Sequence, residues 1–85
     1  MKKDEIVRKN LDLQAEFLRY SFDHPDVLDR IPTGATMVIL PDDDAELCRV
    51  NERTLRELRK QNLPTVVVRM PSPKPVEPRI EVFEG

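Results

Sequence analysis

The chain reads as a small α/β domain of helix–helix–strand–helix–strand order, built on one right-handed parallel βαβ unit. Three stretches predict this. Ala35-Thr36-Met37-Val38-Ile39-Leu40 and Thr65-Val66-Val67-Val68-Arg69-Met70 are short runs that are apolar on both faces. Between them, Pro41-Asp42-Asp43-Asp44 opens a long helical pattern. Strands buried on both faces belong to parallel sheets, whose strands must be joined by a crossover element. That helix lies on one face of the sheet, so the N-terminal helices are left to cover the other. The expectation is a domain over 1–70 with helices on both faces, followed by a proline-rich tail over 71–85.

The first helix is placed at about residues 3–22. Wound at about 100° per residue, Glu5, Arg8, Lys9, Asp12, Glu16 and Arg19 fall in one sector. The rest of the surface carries two apolar stripes, Val7, Leu11, Leu18 and Phe22 on one and Ile6, Leu13, Phe17 and Tyr20 on the other. Together they span about twice the arc that packing on a single layer needs. Two contacts are therefore expected, one with the chain's own domain and one beyond it, unless the second helix and the C-terminal tail cover the extra stripe. Ile6, Leu13, Phe17 and Tyr20 are assigned to the outer contact, together with Ile80, Val82 and Phe83 of the tail.

Next, Pro25 early in a helix, after Asp23 or His24 as cap, starts a short second helix that Pro32 stops. Its Val27, Leu28 and Ile31 should dock on the sheet. His24-Pro25-Asp26 spells the tripeptide of J-domain co-chaperones. The preceding helix is not basic and a strand follows soon after, so His24 is read as a surface residue at a helix start. Gly34 marks a turn that uses positive φ.

The crossover helix spans about residues 43–61, with Leu47, Val50, Leu55 and Leu58 on its inner face. Its first turn is acidic and its last is basic, matching the helix dipole at both ends. Asn62 is the expected C-terminal cap, and Pro64 prevents continuation. Beyond Met70, Pro71, Pro73, Pro75 and Pro78 predict an extended, solvated segment. It ends in Arg79-Ile80-Glu81-Val82-Phe83-Glu84, which alternates like a strand. This segment either adds a third strand, to its own sheet or another subunit's, or serves as a recognition element on a linker.

Composition narrows the function classes. Charged residues make up 35% of the chain but the net charge is only −2, which describes a well-solvated surface of mixed sign. Nucleic acid is not an expected partner, because its binders carry a basic excess. One cysteine excludes an intrachain disulfide and fits a reducing cytoplasm. No stretch has the length or apolarity of a membrane span.

The most enzyme-like feature is Asp42-Asp43-Asp44 at the carboxyl end of a parallel strand, where open α/β sheets bind ligands. Clustered carboxylates there could hold Mg²⁺ for phosphoryl chemistry. The plainer reading is an N-cap with acids in the first turn. Cys48 lacks a nearby histidine to activate it, and two glycines cannot build a phosphate loop. Arg49, Arg53, Arg56 and Lys60 line the outer face of the crossover helix and could receive phosphate or an acidic partner surface.

Asn10-Leu11-Asp12-Leu13, His24-Pro25-Asp26-Val27-Leu28, Ile31-Pro32-Thr33-Gly34-Ala35 and Val38-Ile39-Leu40-Pro41-Asp42-Asp43-Asp44 resemble a family of short prokaryotic proteins known only as a domain of unknown function. The resemblance covers about residues 5–70 and implies one compact domain of prokaryotic origin. It brings no catalytic residues with it. The expectation is a small cytoplasmic protein–protein interaction module rather than an enzyme, a regulatory or antitoxin-like subunit. It would need no cofactor and no membrane, and would bind itself as a homodimer or another protein. The alternative is a Mg²⁺-dependent phosphoryl-transfer or phosphate-binding domain using Asp42, Asp43 and Asp44.

Overall fold

A computed structural model describes residues 1–74 and 78–84. The part of the proline run that falls on Pro75 lies outside the described residues. Helix α1 spans Lys3–Asp23 and starts without a side-chain cap, with Asp4 and Glu5 in its first turn. Its end is set by His24, whose N–H bonds the Tyr20 carbonyl at 3.0 Å, and by Pro25, which disfavours helical backbone at the residue before it.

The expected second helix forms as a 3₁₀ helix over Pro25–Arg30. Val27 N–H bonds the carbonyl of His24, and Ile31 N–H that of Leu28, each three residues back. Six residues between two prolines leave little room for a four-residue ladder. Val27 and Ile31 pack on the core as expected. Leu28, expected beside them, is 46% exposed, since three residues per turn set it about a third of a turn from Val27.

Strands β1 (Thr36–Pro41) and β2 (Thr65–Met70) pair in parallel, in register from Thr36↔Thr65 to Pro41↔Met70. Helix α2, Ala45–Lys60, joins them. Alternation sends Met37 and Ile39 to the α1 face and Val38 and Leu40 to the α2 face. Leu13, Phe17, Ile39 and Leu47 form one core, completed by Ile6, Val27, Ile31, Met37, Val68 and Met70. Val38, Leu40 and Leu55 form the other, with Cys48, Leu58 and Val67. Helices thus cover both faces of a two-stranded sheet.

Asp44 caps the start of α2, its carboxylate accepting the Leu47 N–H at 3.0 Å. The far end closes through Asn62, at φ 56°, one residue past the cap Gln61. Asn62 N–H bonds Arg59 O at 3.0 Å and Leu63 N–H bonds Leu58 O at 3.1 Å, the paired bonds of a Schellman ending.

Two expectations are corrected. Leu13 and Phe17, assigned to an outer partner, are 1% and 7% exposed in the chain's own core, and Ile6 packs partly buried beside them. The other stripe is the one left facing out. Of the readings of the tail, a third strand in the chain's own sheet is not formed: residues 78–84 form no strand, and the sheet of the described residues has the order β1-β2.

Candidate functional site

The acidic corner after β1 is engaged in holding the fold together. Asp44 accepts the Leu47 N–H with one carboxylate oxygen and the Lys9 ammonium, at 3.0 Å, with the other. These two donors hold its carboxyl below the ordinary range, the backbone N–H contributing most. The same contact raises the Lys9 ammonium. Asp43 accepts the Ser72 N–H at 2.7 Å, which lowers its carboxyl in turn and ties the first residues after β2 to the sheet end. Asp42 remains exposed. Among the described residues, no group of three or more His, Cys, Asp or Glu side chains is placed to hold a metal ion.

Cys48 is half-buried, and burial pushes its thiol up, reinforced by Glu52, whose carboxylate accepts from Sγ at 3.7 Å. A thiol held protonated is a poor nucleophile.

The candidate basic face divides. Of Arg49, Arg53, Arg56 and Lys60, only Arg56 reaches the groove of ≈ 730 Å³ between α2 and β2. Arg59 and Arg69 join it there above Leu40, Leu55 and Val67, with Glu52 opposite. Lys60 instead pairs with Glu57 at 3.4 Å. Arg59 lies three residues past Arg56 and Arg69 shares strand parity with Val67, so the cluster combines helix and strand periods that a reading of the helix alone does not combine.

A second groove, ≈ 590 Å³, flanks β2 on the α1 side. Phe17, Tyr20, Val68, Met70, Pro71 and Pro73 supply its apolar walls. Tyr20 is also stacked on His24, ring centroids 4.1 Å apart. The two grooves therefore sit either side of the outer edge of β2.

Opposite the core, Val7, Leu11, Leu18 and Phe22 form a solvent-facing stripe within about 60° of arc on α1, with Phe22 86% exposed. The tail residues Ile80, Val82 and Phe83 are exposed as well. Across the described residues, eleven large apolar side chains are exposed and seven are buried, so apolar surface is available for contact well beyond what the core uses.

Asn51 was not singled out from sequence. Its Nδ2 donates to Ile39 O and to Asn10 Oδ1, each at 2.8 Å, and Asn10 Nδ2 donates back to Asn51 Oδ1 at 3.3 Å. The signal was present: Asn51 sits midway between Leu47 and Leu55 on the inner face, where a polar residue needs a buried partner.

Fold and surface together define a small α/β/α domain around a two-stranded parallel sheet. The chain belongs to the family of unknown function DUF5647, whose family model matches residues 5–83. That match runs past Met70, so the tail falls inside the family's span rather than outside it. No curated protein and no solved structure matches the chain. No helix among the described residues is long and apolar enough to cross a membrane.

Proposed function

We propose that the chain is a non-enzymatic protein–protein interaction module. The observation that carries this reading is the apolar stripe of Val7, Leu11, Leu18 and Phe22, turned away from the core along about 22 Å of α1. Contiguous exposed apolar surface of this kind marks contact sites. Ile80, Val82 and Phe83 extend the available surface. A regulatory or antitoxin-like subunit is the role that such a module's size and layout suit, and its single cysteine suits a reducing, cytoplasmic setting. The alternative remains a Mg²⁺-dependent phosphoryl-transfer or phosphate-binding domain using Asp42, Asp43 and Asp44, of which Asp43 accepts from Ser72 and Asp44 from Leu47 and Lys9.

The test is recovery of a bound protein, a second copy or a foreign chain, on the immobilised full chain. A Leu11→Glu/Leu18→Glu variant serves as control. Both side chains are exposed, so the variant should keep its circular dichroism spectrum and lose a foreign protein. Equal recovery of a foreign protein by both forms, or no protein of either kind bound to either, would remove the reading.

A further inference from the structure

The two edges of the sheet differ. The bonds Thr36 N–H to Pro64 O and Asp42 N–H to Met70 O fix which groups point between the strands. By alternation, Met37, Ile39 and Pro41 direct their main chain to the outer edge of β1. There, Asn51 occupies Ile39 O, and Pro41 has no N–H to offer, which leaves Met37 and the Ile39 N–H. That edge is blunted over its C-terminal half. On β2 the outward groups are those of Thr65, Val67 and Arg69, and none of them is hydrogen-bonded among the described residues. An open edge of this kind is a template for another strand.

Both grooves flank that edge, so a strand added there would drop alternate side chains into each. One groove is walled by Phe17, Tyr20, Val68 and Met70. The other carries Arg56, Arg59 and Arg69. None of these three arginines has an ion-pair partner among the described residues.

The tail has the matching pattern. In extended form, Ile80, Val82 and Glu84 fall on one side, and Arg79, Glu81 and Phe83 on the other. The aliphatic pair suits the apolar groove. Glu81 suits the arginines, Arg79 suits Glu52, and Phe83 can lie against a guanidinium. Ile80 and Phe83 are 83% and 87% exposed, so the chain's own fold does not use them. Among the described residues, Glu81 pairs with Arg79 alone, at 3.6 Å and largely exposed.

The tail also reaches outward. The radius of gyration is 16.4 Å, where a compact chain of this length has about 12 Å. We propose that residues 79–84 of a second copy add as a third strand to the free edge of β2, Ile80 and Val82 entering the groove by Phe17 and Tyr20, and Glu81 meeting the arginines. By symmetry each copy donates its tail to the other. This rests on the interaction-module reading and names its partner as the chain itself.

The experiment is sedimentation equilibrium of the full chain and of two charge reversals, Glu81→Arg and Arg69→Glu. Both sites are exposed, so both variants fold. The wild type should be a dimer, and each variant alone should associate about tenfold more weakly or worse. An equimolar mixture should recover the dimer, since each tail then meets an opposite charge on the other copy. A wild-type monomer, single variants that dimerise like wild type, or a mixture that is not rescued would each overturn the proposal. In those cases the α1 stripe control above still decides separately whether the chain is an interaction module. Protection of the Val67 and Arg69 amides from hydrogen exchange that does not weaken on dilution would show the chain's own tail on the edge, and would also overturn it.

Discussion

Single polar side chains hold the layers of this small domain in register. Asn51 joins three elements through two donated bonds and one accepted. Its orientation is settled by chemistry, because Ile39 O can only accept. Asn51→Ala leaves that carbonyl and Asn10 without partners, and should cost about 1–3 kcal/mol in urea unfolding. Asn10→Ala should cost less, since Asn51 keeps Ile39 and Asn10 is only half-buried. The reverse order would show that the Asn–Asn contact matters more than the strand edge.

Asp44 combines a cap with an ion pair, and the two can be separated. Asp44→Ala removes both and should cost about 1 kcal/mol, typical of a lost N-cap. Asp44→Asn keeps an oxygen for the Leu47 N–H and removes only the charge. The folded-state carboxyls of Asp43 and Asp44 lie below their ordinary value of 3.8. Their stabilisation is therefore complete above that value and is lost as pH falls through the lower folded-state values. Tm should hold from neutral pH to the ordinary aspartate range and decline below it. In Asp43→Asn/Asp44→Asn the decline should be shallower, as followed by circular dichroism melts across that acid range.

At the scale of elements, the ends of α2 were legible because each signal is local. The acidic run Asp42-Asp43-Asp44 before the helix, Asn62 after it and Pro64 beyond need no tertiary context, although the helix starts at Ala45, two residues later than expected, with Asp44 as its cap. Left-handed backbone costs most residues about 1–2 kcal/mol, and asparagine or glycine least. Asn62→Ala should therefore lower stability by about 1 kcal/mol, and Asn62→Gly should leave it unchanged or raise it, in the same urea measurement. The strands were legible for a similar reason, since Val66-Val67-Val68 and Val38-Ile39-Leu40 can hardly be exposed on either face.

Helix α1 shows where locality ends. Its two apolar stripes look alike in sequence, and the choice between them depends on where the 3₁₀ helix and β1 approach. Val27, Ile31 and Ile39 meet Leu13 and Phe17, and the Val7–Phe22 stripe is left outside. The same holds for the basic groove, whose Arg59 and Arg69 come from different elements. Patterning reports that a face is apolar or charged. It does not report which neighbour arrives.

For the whole molecule, the expected boundary at Met70 falls two residues before a further main-chain contact with the sheet end. The main chain beyond β2 is still anchored, because Ser72 N–H binds Asp43 at 2.7 Å and Pro71 and Pro73 wall the groove beside Phe17. Proline cannot extend the ladder past β2, so these residues leave the sheet edge yet remain packed on its end. A chain ending at residue 74 should melt close to the full chain at concentrations too low for association. One ending at residue 70 should melt lower, because Asp43 loses its partner and the wall by Phe17 opens. In the shorter chain the acid decline should also be shallower, since the carboxyl of Asp43 is no longer held down by Ser72. Melts of the two truncations at neutral and acid pH check both halves of this expectation. Equal Tm values would leave the boundary at Met70 and make the Ser72 contact incidental to stability.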